Sequence, residues 1–446
     1  QPSAAPTAEP SAAPAPTVAA ASATPAGPTP TLDLPTQAPT ITAIPAVAPF
    51  PLEAGWWDDA VCYEIFVRSF YDSNGDGIGD LNGLIQKLDY INDGKPATQS
   101  DLGATCLWLM PIMPSNTYHG YAVTDFYDVN PQFGTKDDFK RLIDEAHKRG
   151  VRVLIDMVLN HTSSEHPWFK EALTGPGAPH RDWYLWSHDE PPTQGWHKSP
   201  VRDEYYYSAF DGGLPDLNYR NPEVTAEAQK ISAFWLNDMG ADGFRMDAAK
   251  HLIENGAVIA DTLETNAWLR EYRTFLEKTA PGAFTIGENF GASSIGLASY
   301  YPDQLDMYFE FNIGQKLIQA VNLGDASQYS GAVHVATEDL PFQRWAPFLT
   351  NHDQNRAMSV LGDKPDRARL AAIAYLTLPG LPFVYYGEEI GMLGTKPDEQ
   401  LRTPMQWSAE PGAGFSSAAP WEAPQPNFAA TNVAAQDADP ASLLNL

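Results

Sequence analysis

The sequence predicts an α/β fold: a (β/α)8 TIM barrel closed on itself, with an insertion subdomain after the third strand. Three observations predict it. Short apolar runs recur eight times between residues 61 and 387. Amphipathic stretches separate most of them, TKDDFKRLIDEAHKRG (135–150) and TAEAQKISAFWLNDMG (225–240) among them. The runs are too apolar to leave one face in water, which suits a parallel sheet covered on both sides. A doubly wound open sheet is the competing architecture, but no glycine-rich phosphate loop follows the first run.

In chain order the runs are VCYEIFV (61–67), ATCLWLM (104–110), VRVLIDMV (151–158), ADGFRMD (241–247), AFTIGE (283–288), QLDMYFEF (304–311), RWAPFLT (344–350) and LPFVYYG (381–387). β-branched and aromatic residues dominate them, and the first reads as strand through VCYEIFVRSFY. One interval is too long for a single helix. Residues 161–219 carry WFKEAL, RDWYLWS, GWHKSP and EYYYSAF, which predicts a small subdomain over the C-terminal rim. The chain stops in ADPASLLNL, where a last helix is expected to begin, and a C-terminal β domain is expected to be absent from it.

Residues 1–50 are nearly all Pro, Ala, Thr and Ser, with Glu9 and Asp33 as their charges. Such a segment buries too little apolar surface to offset its ordering entropy, so it reads as a disordered linker ahead of a barrel at 51–446. It has no basic start and apolar centre, so it is not a signal peptide. A Pro/Ala/Thr tether points to a secreted or surface-anchored protein, with an intracellular linker as the alternative.

Fifty-six acidic against 28 basic residues give a net charge of −28. That field repels phosphates, which excludes nucleic acid and anionic membrane surfaces as partners and suits a neutral substrate, bound cations and a monomer. No run of eighteen apolar residues exists to span a membrane. Two cysteines, Cys62 and Cys106, are too few for a disulfide framework and lack metal-site spacing. They start neighbouring apolar runs and could pair; two buried thiols are the reading taken here.

In a barrel of this kind chemistry sits where strands end. The third run ends Asp156-Met-Val-Leu-Asn160-His161, the fourth Arg245-Met-Asp247 before Lys250-His251, the fifth Glu288-Asn289, the seventh Asn351-His352-Asp353. Each carries a carboxylate to the same rim. Arg245 and Asp247 are two apart and share a face, so the cation keeps the carboxylate ionised, as a nucleophile requires. A lone Asp at a strand end is more often a cap or an ion-pair partner; four in register are hard to explain as caps.

IDMVLNH, GFRMDAAKH, GENF and TNHD, in that order, resemble the four conserved regions of the α-amylase family, glycoside hydrolase family 13. LPDLN (214–218) resembles its fifth region, and YHGYAVTDFYDVNPQFGT (118–135) and GLPFVYYGEE (380–389) are similar to further family segments. The resemblance covers residues 56 to about 410. It implies Asp247 as nucleophile, Glu288 as general acid/base and Asp353 as the third carboxylate. It further implies that His119, Tyr121, His161, Arg245, Lys250 and His352 bind the sugar, with Tyr121 stacking on its apolar face. A calcium would join barrel to insertion through Asn160, Asp216 and the carbonyl of His251. Lys250-His251 and LPDLN are α-amylase-like, whereas LRTPMQW (401–407) is similar to α-glucosidases and trehalose synthases, so the chain resembles a subgroup between the two.

The stretch DSNGDGIGD places Asp72, Asn74, Asp76 and the Ile78 carbonyl where the first half of an EF-hand has its oxygen ligands. The twelfth position is Gly83 rather than Glu, and the bland alternative is a polar turn. The family resemblance adds Asp80 and assigns a Ca2+ staple beside the active site. The expected function is a retaining α-glucan hydrolase, an endo-acting α-amylase on α-1,4 links of starch and maltooligosaccharides. The alternatives are an exo-acting α-glucosidase or trehalose-synthase-like transglycosylase, and a non-catalytic barrel relative, which should lack one of the three carboxylates.

Overall fold

The computed structural model describes residues 55–98, 100–191 and 193–446. The linker read over residues 1–50 lies outside the described residues. Eight parallel strands form one sheet: β1 (Cys62–Ile65), β2 (Cys106–Leu109), β3 (Arg152–Met157), β4 (Gly243–Met246), β5 (Phe284–Gly287), β6 (Met307–Phe309), β7 (Trp345–Ala346) and β8 (Phe383–Tyr385). Every one falls inside a predicted run. They pair in the order β7-β6-β5-β4-β3-β2-β1-β8. The backbone amides of Leu381 and Phe383 donate to the carbonyls of Trp345 (3.1 Å) and Pro347 (3.0 Å), which ties β8 to the β7 segment and brings the barrel nearly to closure.

The helices follow from local chemistry. Lys136–Lys148 starts at a capping box in which Thr135 accepts from the Asp138 amide and Asp138 accepts from Thr135. Phe139, Leu142, Ile143 and Ala146 of that helix are buried at a 3–4 residue spacing. Pro222–Ala233 is capped by Asn221 and carries Pro at its first position, where the missing N–H costs nothing. Gly243 opens β4 because a Cβ there would lie 2.0 Å from the Phe284 carbonyl oxygen.

The interval 161–219 holds a short helix, Pro167–Ala172, and a three-stranded sheet of Trp186–Ser187, Trp196–Lys198 and Tyr205–Tyr207. Antiparallel bridges His161↔Asp216 and Tyr184↔Leu217 sew its two ends together.

Three expectations are corrected. The first strand stops at Ile65, and Val67–Phe70 is helical. All four residues are buried, so packing at the rim overrides their strand propensity. Cys62 and Cys106 are not thiols but a disulfide, because the β1/β2 register sets them opposite each other with Cα atoms 4.3 Å apart. The last helix is Val433–Asp437, capped by Asn432, and 438–446 continues as turns through Pro440.

Candidate active site

Arg245 is the hub of the rim. It is 1% exposed and comes from β4, pointing opposite to Phe244 and Met246. Its Nη1 donates to both oxygens of Asp156 at 2.9 and 3.1 Å and to Asp247 at 2.5 Å. Its Nη2 reaches Glu288 at 3.4 Å. One guanidinium therefore faces three carboxylates from β3, β4 and β5, which its planar fork permits and a lysine could not match. The Trp108 and Tyr121 rings lie 5.1 and 5.7 Å from it.

Glu288 also accepts the Ala248 amide at 3.1 Å. Burial raises its pKa, and Asp247 and Asp353 raise it further against the pull of Arg245. Asp353 shifts the other way. Burial works to raise it, but His352 and Arg402 outweigh burial and hold it below the usual carboxylate range. Two carboxyls on one rim are thus driven apart, one toward the protonated form and one toward the ionised form.

The aromatic floor comes from the loop after β2. Tyr121 donates to Asp156 at 3.0 Å and lies 2.8 Å from His352 Nε2. Its ring stacks beside His119 and His352, with centroids 5.8 and 5.6 Å away. His161 Nε2 lies 3.2 Å from the Tyr121 carbonyl oxygen. Burial lowers both His119 and His161, each to about 4, so both rings are neutral near pH 7. Lys250 is further round the rim and donates to the Phe290 carbonyl at 2.6 Å. The structure gathers Asp247, Glu288, Asp353, Arg245, Tyr121, His119, His161 and His352 into this single network, with Lys250 at its edge.

Four partners were not singled out as site residues. Asp156 anchors Arg245, and Trp108 donates to it at 3.3 Å. Glu64 lies 2.6 Å from His352 Nδ1. Arg402 donates to Asp353 at 2.8 Å, to the His352 carbonyl at 3.0 Å and to the Tyr118 hydroxyl at 3.2 Å. A lone acid inside the apolar run VCYEIFV and the arginine of LRTPMQW were the available signals.

The two predicted calcium positions differ in chemistry. At the junction of barrel and insertion, Asn160 Oδ1 and Asp216 Oδ2 are buried and accept no hydrogen bond. Burial pushes the Asp216 carboxyl well above its usual range, and Glu254 adds to this. Although Asp216 Oδ1 accepts the Ala209 amide at 3.0 Å, two orphaned oxygens at one buried place fit a hard cation. The 72–80 loop instead satisfies itself. Asp72 accepts the amides of Asn74, Gly75 and Gly77 and the Ser416 hydroxyl. Four donors fill the lone pairs of its two oxygens. Asn74 and Asp76 accept the amides two residues on, and Asp80 takes Ser73 and Gly83. Among the described residues no three His, Cys, Asp or Glu side chains gather into one metal-holding group, so a cation at Asn160 and Asp216 would rest on amide and backbone oxygens as well.

The chain matches the family model for the α-amylase catalytic domain over residues 64–446. It is 40% identical over 405 residues to Alpha-amylase 3 of Dictyoglomus thermophilum, covering 87% of this chain and 76% of that one. A trehalose synthase/amylase of Mycolicibacterium smegmatis is 36% identical over 463 residues, covering 89% and 75%. An oligo-1,6-glucosidase of Parageobacillus thermoglucosidasius is 32% identical, covering 88% and 82%. Among solved structures, an α-amylase from H. orenii superposes with a TM-score of 0.81 at 42% identity, covering 87% of this chain and 80% of that one. A catalytic-domain match over most of the chain, with all three carboxylates on the rim of an eight-stranded barrel, makes it a glycoside hydrolase and a member of the α-amylase family.

Proposed function

We propose that the protein cleaves α-1,4 links of starch and maltooligosaccharides from within the chain, by double displacement with retention. The observation that carries this reading is Arg245 facing Asp247 and Glu288 from one guanidinium. Asp247, paired with Arg245 at 2.5 Å, attacks the anomeric carbon while Glu288 protonates the leaving oxygen. The glycosidic bond breaks and an ester to Asp247 forms. Glu288, now a carboxylate, takes a proton from water, which attacks the same carbon and releases Asp247. The raised pKa of Glu288 supports its starting as the acid. Asp353, ionised beside Arg402, would grip sugar hydroxyls and favour the distorted ring. His119, Tyr121, His161 and His352 would hold the same sugar, and Lys250 the rim beyond it.

The test is the product pattern from starch together with Asp247→Asn. The parent should release mixed oligosaccharides early, and Asp247→Asn should lose about 10³-fold or more in kcat with its fold intact. Unchanged turnover in the variant overturns the mechanism, and glucose as the sole early product overturns internal cleavage. The relatives named for trehalose synthesis and α-1,6 hydrolysis support a second reading, transglycosylation, in which a sugar hydroxyl replaces water in the second step.

The same proposal includes Ca2+ at Asn160, Asp216 and the His251 carbonyl, where it would neutralise a buried acid and pin the insertion to the barrel. Calcium on Asp72, Asn74, Asp76, Ile78 and Asp80 carries a condition. Asp72 must release one of its four donors, of which Ser416 is the one side chain. The Cys62–Cys106 disulfide supports an oxidising, extracytoplasmic location, secreted or surface-anchored. No helix among the described residues is long and apolar enough to cross a membrane.

A further inference from the structure

A cavity of about 480 Å³ is lined by Arg68, Asn116, Tyr118, Thr124, Asn130 and Gln132 together with small and proline residues, none of them acidic. Arg68 is its one charged lining residue. It is 6% exposed, and no carboxylate among the described residues forms an ion pair with it. Asp76 acts on it only from beyond that range. Arg68 Nε donates to the Tyr118 carbonyl at 3.2 Å and Nη2 to the Gln132 amide oxygen, while Nη1 donates to nothing among the described residues. Its guanidinium lies 5.6 Å from the Phe133 and Trp421 ring centroids, and in a chain of net charge −28 a buried cation with no carboxylate in ion-pair range stands out.

The three lining amides leave the same end unpaired. Asn116 Oδ1 accepts the Ser163 hydroxyl at 2.8 Å, and Asn130 Oδ1 accepts the Gln132 backbone amide at 3.0 Å. The Gln132 oxygen is taken by Arg68. Each oxygen is used inside the protein, and each NH2 group has no partner among the described residues. Thr124 differs, since it donates its hydroxyl proton to the Pro114 carbonyl at 3.1 Å and keeps only acceptor lone pairs. Three unpaired amide NH2 groups lining the same cavity as one cation, each amide oxygen already accepting a hydrogen bond, complement a ligand that accepts and carries negative charge. A neutral sugar fits worse, because each hydroxyl also brings a proton that needs an acceptor.

We infer that this cavity binds a small oxyanion, a phosphate or carboxylate group, either free or carried on a sugar. Arg68 supplies the charge, and Asn116, Asn130 and Gln132 supply the donors.

Titration calorimetry on the full chain with inorganic phosphate, glucose 6-phosphate, glucuronate and maltose tests this. Phosphate should bind with a Kd on the order of 1 mM, weakening as NaCl is raised. Tighter binding of glucose 6-phosphate or glucuronate than of phosphate would assign the group to a sugar; the reverse order would assign it to the free ion, and both sustain the site. Gln132→Glu is on the surface and sets a carboxylate against Arg68, so phosphate should bind at least about tenfold more weakly with the melting temperature no lower than the parent's. Gln132→Ala removes one donor without adding charge and should change affinity by no more than about threefold. Arg68→Met, if it folds, should abolish binding. Phosphate affinity that survives Gln132→Glu, no heat from any of the anions, or displacement of phosphate by maltose would overturn the assignment.

Discussion

His352 Nδ1 lies 2.6 Å from a carboxylate oxygen of Glu64, and both side chains are buried. Its other nitrogen faces the Tyr121 hydroxyl at 2.8 Å, so the ring is held at both ends. Burial acts to lower the imidazole pKa, but Asp353 and Glu64 outweigh it and raise the value above the ordinary range.

A raised folded value means that His352 contributes stability fully present below the unfolded pKa of about 6.5 and lost as pH rises through the folded one. Glu64→Gln removes one of the two carboxylates responsible. Its melting temperature should fall most below about pH 6 and approach the parent's at alkaline pH. Scanning calorimetry across pH checks this, and a deficit that grows with pH would contradict it.

Arg402→Met takes away a cation that holds Asp353 ionised. A carboxyl with a depressed pKa keeps its charge until pH falls through that low value, so its loss of charge sets an acidic limit. Without Arg402 the Asp353 pKa rises, and the acid limb of the kcat/KM profile should move to higher pH. The alkaline limb, which follows deprotonation of Glu288, should stay where it is.

Arg245→Ala leaves buried Asp156 without its cation. The expected loss is about 3–5 kcal/mol of stability, read by urea denaturation, with turnover lost as well. Arg245→Lys should recover part of the stability but little of the activity, because an ammonium offers a point charge where Asp156, Asp247 and Glu288 share a planar fork.

The disulfide joins the first residues of β1 and β2, at the opposite end of the strands from the carboxylates. It closes a separation of 44 residues, so replacing both cysteines with serine should cost about 4 kcal/mol while kcat stays within about twofold. A large fall in kcat at a temperature where the variant remains folded would show the bridge to matter for the site itself.

Calcium at a hundredfold excess over its Kd should add about 2.7 kcal/mol of stability, and a chelator should remove it. Asn160→Ala should erase most of that difference, whereas Asp76→Ala should leave most of it, since Asn160 and Asp216 hold the orphaned oxygens. An equal calcium response in the Asn160→Ala variant would move the ion elsewhere.

The strands were legible because each is a short apolar run bounded by polar loops, and all eight observed strands fall within those runs. The rim carboxylates were legible because strand ends in a barrel converge, so Asp247, Glu288 and Asp353 could be placed before any coordinates. The ends of elements were less so. Val67–Phe70 looks like strand in composition but is a buried turn of helix, since four side chains at a rim can pack only if the chain bends there. The cysteines illustrate a different gap. Two runs were recognised as neighbours, but a disulfide depends on register, and a one-residue slip would separate the sulfurs.

The sequence by itself determined the barrel, the insertion, the order of the motifs and the chemical types gathered on the rim. These follow from the two-residue period of strands and from apolar patterning, both local properties of the chain. Beyond Arg245 and Asp247, which share a strand face, tertiary structure decided which charge faces which. Arg245 reaching Asp156 and Glu288, Glu64 holding His352 and Arg402 holding Asp353 join residues 43 to 288 positions apart. Such pairings depend on side chains from different strands meeting within 2.6–3.4 Å, and no local pattern encodes them.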